Sequence, residues 1–95
     1  MQKNTQIEQT QALFKIFSDK TRLKIIDALL EGPRCVSDLV NLLGMNQSAI
    51  SHQLKLLREK NVVATNRKGK KVIYSIKDDH VTAIYKMARD HIREC

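Results

Sequence analysis

The last stretch of this chain concentrates the side chains best suited to chemistry. They are Asp78-x-His80 and, eleven residues past that histidine, His91-x-x-Glu94. Two of the three histidines in the protein lie here. Carboxylate oxygens and imidazole nitrogens in this combination can ligate a divalent cation. On a helix, His91 and Glu94 are three residues apart and share a face, while Asp78 and His80 flank its start. With a rise of about 1.5 Å per residue, the two histidines stand roughly 16 Å apart on one helix. Metal–ligand bonds are only about 2 Å long, so one ion cannot join both halves within a chain. Two copies packed antiparallel remove the difficulty. Pairing His80 with His91, or Asp78 with Glu94, asks for nearly the same register, centred near residue 86. The pattern predicts a two-fold homodimer with two mixed-chain sites, each built from Asp78 and His80 of one protomer and His91 and Glu94 of the other. The competing reading is an ordinary solvated helix face, where His, Asp and Glu are common.

The elements that must position these residues can be read from apolar spacing. Ile7, Ala12, Leu13, Ile16 and Phe17 predict an amphipathic helix from about Gln6 to Phe17. Ser18-Asp19 supplies a cap for a second helix whose core face is Leu23, Ile25, Ile26, Leu29 and Leu30, stopped by Gly32-Pro33. Val36-Ser37-Asp38 opens a short helix carrying Leu39, Val40, Leu42 and Leu43, ended by Gly44. A longer helix from about Gln47 to Lys60 buries Ile50, Leu54 and Leu57. From Val62 the texture changes. Val62–Arg67 and Val72–Ile76 are β-prone runs around a basic tip, Lys68-Gly69-Lys70-Lys71. A final helix runs from about Asp79 to Arg93, and its stripe Val81, Ile84, Ala88, His91 predicts a seam with a partner helix. The fold class is mainly α with one small β-hairpin.

Composition narrows the function. Ninety-five residues make a single domain, 1–95, of a size that often gains stability by oligomerising. A formal net charge of +7 and a pI near 9.7 favour an anionic partner such as nucleic acid or an acidic membrane surface. Two Phe, two Tyr and no Trp argue against a single-strand binder that stacks bases. No apolar run approaches the length of a membrane span, and the opening MQKNTQIEQTQ is polar rather than a signal peptide. Two cysteines, Cys35 and Cys95, give no disulfide framework, which points to a reducing cytoplasm.

Leu39 to Leu57 has the layout of a helix-turn-helix, and the basic hairpin that follows makes the unit winged. Short polar side chains near the start of the second helix suit the major groove. Gln47 can pair with adenine, Ser48 and Ser51 can reach bases or phosphates, and His52 is a further donor. Lys55, Arg58, Arg67, Lys68, Lys70 and Lys71 can position the module on phosphates without reading sequence. The expected partner is double-stranded DNA.

With these residues in view, the chain resembles the ArsR/SmtB family of metal-sensing winged-helix repressors over nearly its whole length. The resemblance is carried by Phe17-Ser18-Asp19-Lys20-Thr21-Arg22-Leu23, by Cys35-Val36-Ser37-Asp38-Leu39, by the string from Gln47 to Leu57, and by Ile73-Tyr74-Ser75-Ile76. The string Gln47–Leu57 is the most specific of these. The family implies a homodimer formed by the first and last helices, bound to an inverted-repeat operator and released by metal.

The family places metal sites at more than one position. Cys35 and Asp38 match one of them. However, Ser37 stands where some relatives have a second cysteine, and residues 1–34 hold neither Cys nor His. Cys35 therefore reads as a small buried residue. Asp78, His80, His91 and Glu94 match the zinc-responsive pattern at all four positions. Two nitrogens and two oxygens suit Zn2+, with two inter-subunit sites per dimer and Co2+ as a surrogate. Cys95 could add a thiolate, and Asp79 competes with Asp78 for the first oxygen. The alternative function is a thiol-responsive winged-helix repressor using Cys35 and Cys95. An enzyme is not expected, because a fully ligated zinc leaves no open position for water and no nucleophile–base pair is apparent.

Overall fold

The computed structural model describes residues 3–94, so Cys95 lies outside the described residues. The order is α1 (Lys3–Phe17), α2 (Lys20–Leu30), α3 (Val36–Leu43), α4 (Gln47–Glu59), β1 (Val63–Lys68), β2 (Lys71–Ile76) and α5 (Asp79–Arg93). Helix α1 starts earlier than the expected Gln6, because residues 3–5 are polar and leave no apolar period to read.

Short polar side chains set where the helices begin. Asp19 accepts from the Arg22 backbone N–H (3.0 Å), Asn46 from that of Ala49 (2.8 Å) and Asp78 from that of Val81 (3.1 Å). Each satisfies one of the donors that a helix start leaves without a partner. At α3 the cap runs backwards: the Asp38 carboxylate accepts from the Cys35 N–H at 3.1 Å. Gly44 ends α3 in the left-handed region (φ 64°), and its N–H donates to the Val40 carbonyl at 2.9 Å. That reversal sends the chain straight into α4, and a side chain at Gly44 would strain it.

Ile25, Ile26, Leu39, Ile50, Leu54 and Leu57 have no exposed surface and make one core shared by α2, α3 and α4. The hairpin is docked onto this core at its base. Val62, expected within the strand, instead joins α4 to the sheet: its N–H donates to Leu57 and its carbonyl accepts from Lys77, both at 2.9 Å. The strands pair in antiparallel register from Val63↔Ile76 to Lys68↔Lys71, leaving Gly69 and Lys70 as the tip. Arg34 adds a contact that apolar spacing does not reveal. It exchanges two backbone hydrogen bonds with Tyr74 (3.0 and 2.8 Å), and its Nε donates to the Ala28 carbonyl. The wing is thereby tied to the end of α2.

Val81 is buried in the chain's own core at 5% exposure. This corrects the expected partner seam at that position: Val81 follows directly from the β2–α5 turn and faces inward. The outer surface of α5 instead shows Met87 and Ile92, 73% and 71% exposed, and α1 shows Ile7 and Phe14 at 55% and 56%.

The Asp38 cap should be visible in pH dependence. The Cys35 N–H, with the Cys35 side chain and then Lys71 and Arg34 adding to it, holds the Asp38 carboxyl below its ordinary 3.8. A lowered folded value contributes stability above the unfolded pKa, and that contribution is lost as pH falls through the folded one. Asp38→Ala is expected to lower the urea midpoint at pH 7, with the difference from wild type shrinking towards pH 3. A difference that persists unchanged at pH 3 would show that the charge is not responsible.

Candidate nucleic-acid interface and metal ligands

Helix α4 has two faces. Ile50, Leu54 and Leu57 fill the core, while Gln47, Ser48, Ser51, His52 and Lys55 are all exposed on the other side. The wing continues this polar surface with Arg67, Lys68, Lys70 and Lys71, which are likewise exposed. Side chains able to reach base edges thus gather near the start of one helix, and cations able to meet phosphates lie on the adjoining hairpin.

Gln53 behaves differently from its neighbours. Its Oε1 accepts from Arg22 Nη1 on α2 at 3.2 Å, while the same guanidinium donates through Nε to the Ile16 carbonyl (3.1 Å) and through Nη2 to that of Lys15 (3.2 Å). One arginine therefore fastens the end of α1 and the middle of α4 to α2. Apolar spacing carries no signal of this. The motif Thr21-Arg22 marks the residue without revealing its task.

The candidate metal ligands fall into two groups. At the start of α5, His80 Nδ1 lies 3.7 Å from Asp78 Oδ1. Two ligands on a tetrahedral ion with bonds of about 2 Å would be roughly 3.3 Å apart, so this pair is already close to a ligating spacing. Both side chains are accessible, His80 almost fully. Of the two neighbouring aspartates, Asp78 is the one that lies beside His80; Asp79 sits in the first helical turn. At the other end, His91 and Glu94 border an open groove along α5 with Met87, Ile92 and, from α1, Phe14. Among the described residues, no three His, Cys, Asp or Glu of one chain gather as a metal cluster. The donor chemistry fits a divalent cation, but a four-ligand set has to draw on two chains.

The Cys35 position offers less. The thiol is buried, 3.4 Å from Ser37 Oγ, and Asp38 caps α3 just as Asp78 caps α5, so burial of the thiol is what separates the two positions.

Five helices with a two-stranded hairpin after the helix-turn-helix define a winged helix-turn-helix protein. The solution structure of the homodimeric winged helix-turn-helix DNA-binding domain Mb0332 from Mycobacterium bovis, a possible ArsR-family regulator, superposes with a TM-score of 0.89. It is 26% identical, and the match covers 98% of this chain and 86% of that one. The model of the bacterial regulatory proteins of the arsR family matches residues 19–65. The "Transcriptional repressor SmtB homolog" of Synechocystis sp. is 37% identical over 89 residues, covering 94% of this chain and 67% of the relative. The "Cadmium resistance transcriptional regulatory protein CadC homolog" of Staphylococcus aureus is 40% identical over 83 residues, covering 86% and 69%. The chain belongs to the arsR family of bacterial regulatory proteins and is a transcriptional regulator, not an enzyme.

The division between base-reading and phosphate-contacting residues can be tested at the wing tip. Lys70→Ala is expected to weaken binding equally on specific and unrelated DNA, and to reduce the slope of log affinity against log salt by about 1. A loss confined to the specific sequence would instead assign Lys70 a base contact.

Proposed function

We propose that this protein is a zinc-responsive transcriptional repressor, a homodimer that holds an inverted-repeat operator in its metal-free form. The single observation that carries this reading is the division of ligands along α5. Asp78 and His80 are 3.7 Å apart at one end, and His91 and Glu94 lie one turn apart at the other. An antiparallel partner helix completes both halves. The apolar surfaces of Phe14, Met87 and Ile92 supply a reason for a second copy to pack there. The M. bovis neighbour is homodimeric, and the S. aureus relative is named for cadmium resistance. Two imidazoles and two carboxylates, without a thiolate, favour zinc over cadmium as the effector here.

Bound Zn2+ would supply a bridge between protomers. The chain's own contribution is geometric. Each α5 offers two ligands to its partner's two, so occupation fixes how the helices lie and thereby the separation of the two α4 helices. Zinc must then favour the free dimer over the DNA-bound one, and DNA weakens zinc binding by the same factor.

Fluorescence anisotropy on the protein's own promoter DNA tests this. Zn2+ is expected to weaken wild-type binding by roughly tenfold or more, within the usual range of allosteric coupling. His80→Ala should lose that response, while a variant with Cys35 and Cys95 changed to Ser should keep it. Release that survives His80→Ala would dismiss the α5 site. Release that disappears with the cysteines would transfer the function to thiol chemistry.

A further inference from the structure

A sensor needs a route from its effector to its reading helix. The inner face of α5 meets the chain's own body through Val81 in the core and Tyr85 packed against it, among others. Tyr85 also makes a specific bond: its hydroxyl donates to Asp27 Oδ1 on α2 at 2.9 Å, across 58 residues of sequence. Arg89 lies over the Tyr85 ring, 5.8 Å from its centre. Burial, then the Asp27 carboxylate, hold the phenol above its ordinary pKa, so at neutral pH it remains a donor.

Helix α2 carries the second half of the route. It is a rod of 11 residues whose buried side, Ile25, Ile26, Ala28 and Leu29, is locked into the core. From it Arg22 reaches Gln53 in the middle of α4 and the last carbonyls of α1. Two polar bonds, Tyr85–Asp27 and Arg22–Gln53, therefore join α5 to α4 through one rigid element. Both bonds are partly buried, where a donor or acceptor deprived of its partner is costly.

We propose that the Tyr85–Asp27 hydrogen bond is the positioning contact that passes the placement of α5, through α2 and the Arg22–Gln53 bond, to the recognition helix. This rests on the zinc-responsive reading above and assigns its regulation to a named contact. Tyr85 ligates nothing and reads nothing. Its role is to make α2 follow α5, so that a change in how α5 packs against a second copy moves α4 instead of being absorbed at the α5–α2 boundary.

Tyr85→Phe removes one oxygen and leaves the ring, its packing and the Arg89 contact in place. Three quantities are measured on the dimer: Zn2+ affinity without DNA, DNA affinity without metal, and the ratio of the DNA affinity without Zn2+ to that with it. Zinc affinity is expected to stay within about twofold, while the ratio falls roughly tenfold, the order expected for losing a hydrogen bond to a charged acceptor. Asp27→Asn keeps an acceptor oxygen and should keep most of the ratio; Asp27→Leu should behave like Tyr85→Phe. A merely structural role would lower the melting temperature of all three without separating the ratio from zinc affinity. An undiminished ratio in Tyr85→Phe, with wild type responding, overturns the proposal alone. A wild type that ignores zinc overturns the sensor reading first, and this inference with it.

Discussion

A straight helix cannot bend back to close a metal site on itself. At about 1.5 Å per residue, the two ligand pairs of α5 are separated by roughly 16 Å, several times the span of any single coordination sphere. The same helix buries only Val81 in its own chain and leaves Met87 and Ile92 largely in solvent. On the zinc-responsive reading proposed above, ligand geometry and apolar burial make one demand, a second copy laid antiparallel. In the proposed dimer a chain of this size would gain twice, because the area it cannot bury alone would also place its candidate ligands.

The rest of the molecule consists of devices for holding one helix still relative to another. Asp38 and Gly44 fix the beginning and end of α3, and Asn46 fixes the beginning of α4, so the helix-turn-helix has little freedom within itself. Arg34 holds the wing through two backbone hydrogen bonds and α2 through its side chain, and Arg22 binds α1 and α4 to the same helix. Helix α2 is accordingly the hub: it presents no candidate DNA or metal ligand, yet the wing, the recognition helix, α1 and α5 are each bonded to it. The proposed coupling depends on this arrangement, because packed interiors deform in discrete steps and would pass a shift of α5 on as a shift of whole elements.

Much of this was legible in the sequence, and the reason is periodicity. Ile50, Leu54 and Leu57 announced both the existence of α4 and its buried face, and their spacing left Gln47, Ser48, Ser51 and His52 exposed by exclusion. Turn chemistry worked equally well at Gly44. What escaped is what periodicity cannot encode. Arg22, Arg34 and Tyr85 act through contacts made far along the chain, and nothing about a neighbouring residue tells which carbonyl or carboxylate a long side chain will reach. Val81 shows the opposite error. Its spacing placed it on a stripe with Ile84 and His91, but the tight turn out of β2 directs it to the core. The candidate ligand quartet could be proposed from residue type and register, whereas only the structure shows that Asp78 approaches His80 to 3.7 Å.

The central claim is that each metal site is shared between protomers, and a mixed dimer addresses it directly. Chains carrying His80→Ala and chains carrying His91→Ala, each with a different affinity tag, are combined and the doubly tagged dimer isolated. In a shared site, neither parent homodimer holds an intact ligand set, while the mixed dimer holds one: His80 from one chain and His91 from the other. Calorimetric titration should then find no tight zinc in either parent and one tight zinc per mixed dimer. A mixed dimer that binds no better than its parents would contradict the account, because a site built within a single chain cannot be restored by pairing two damaged ones.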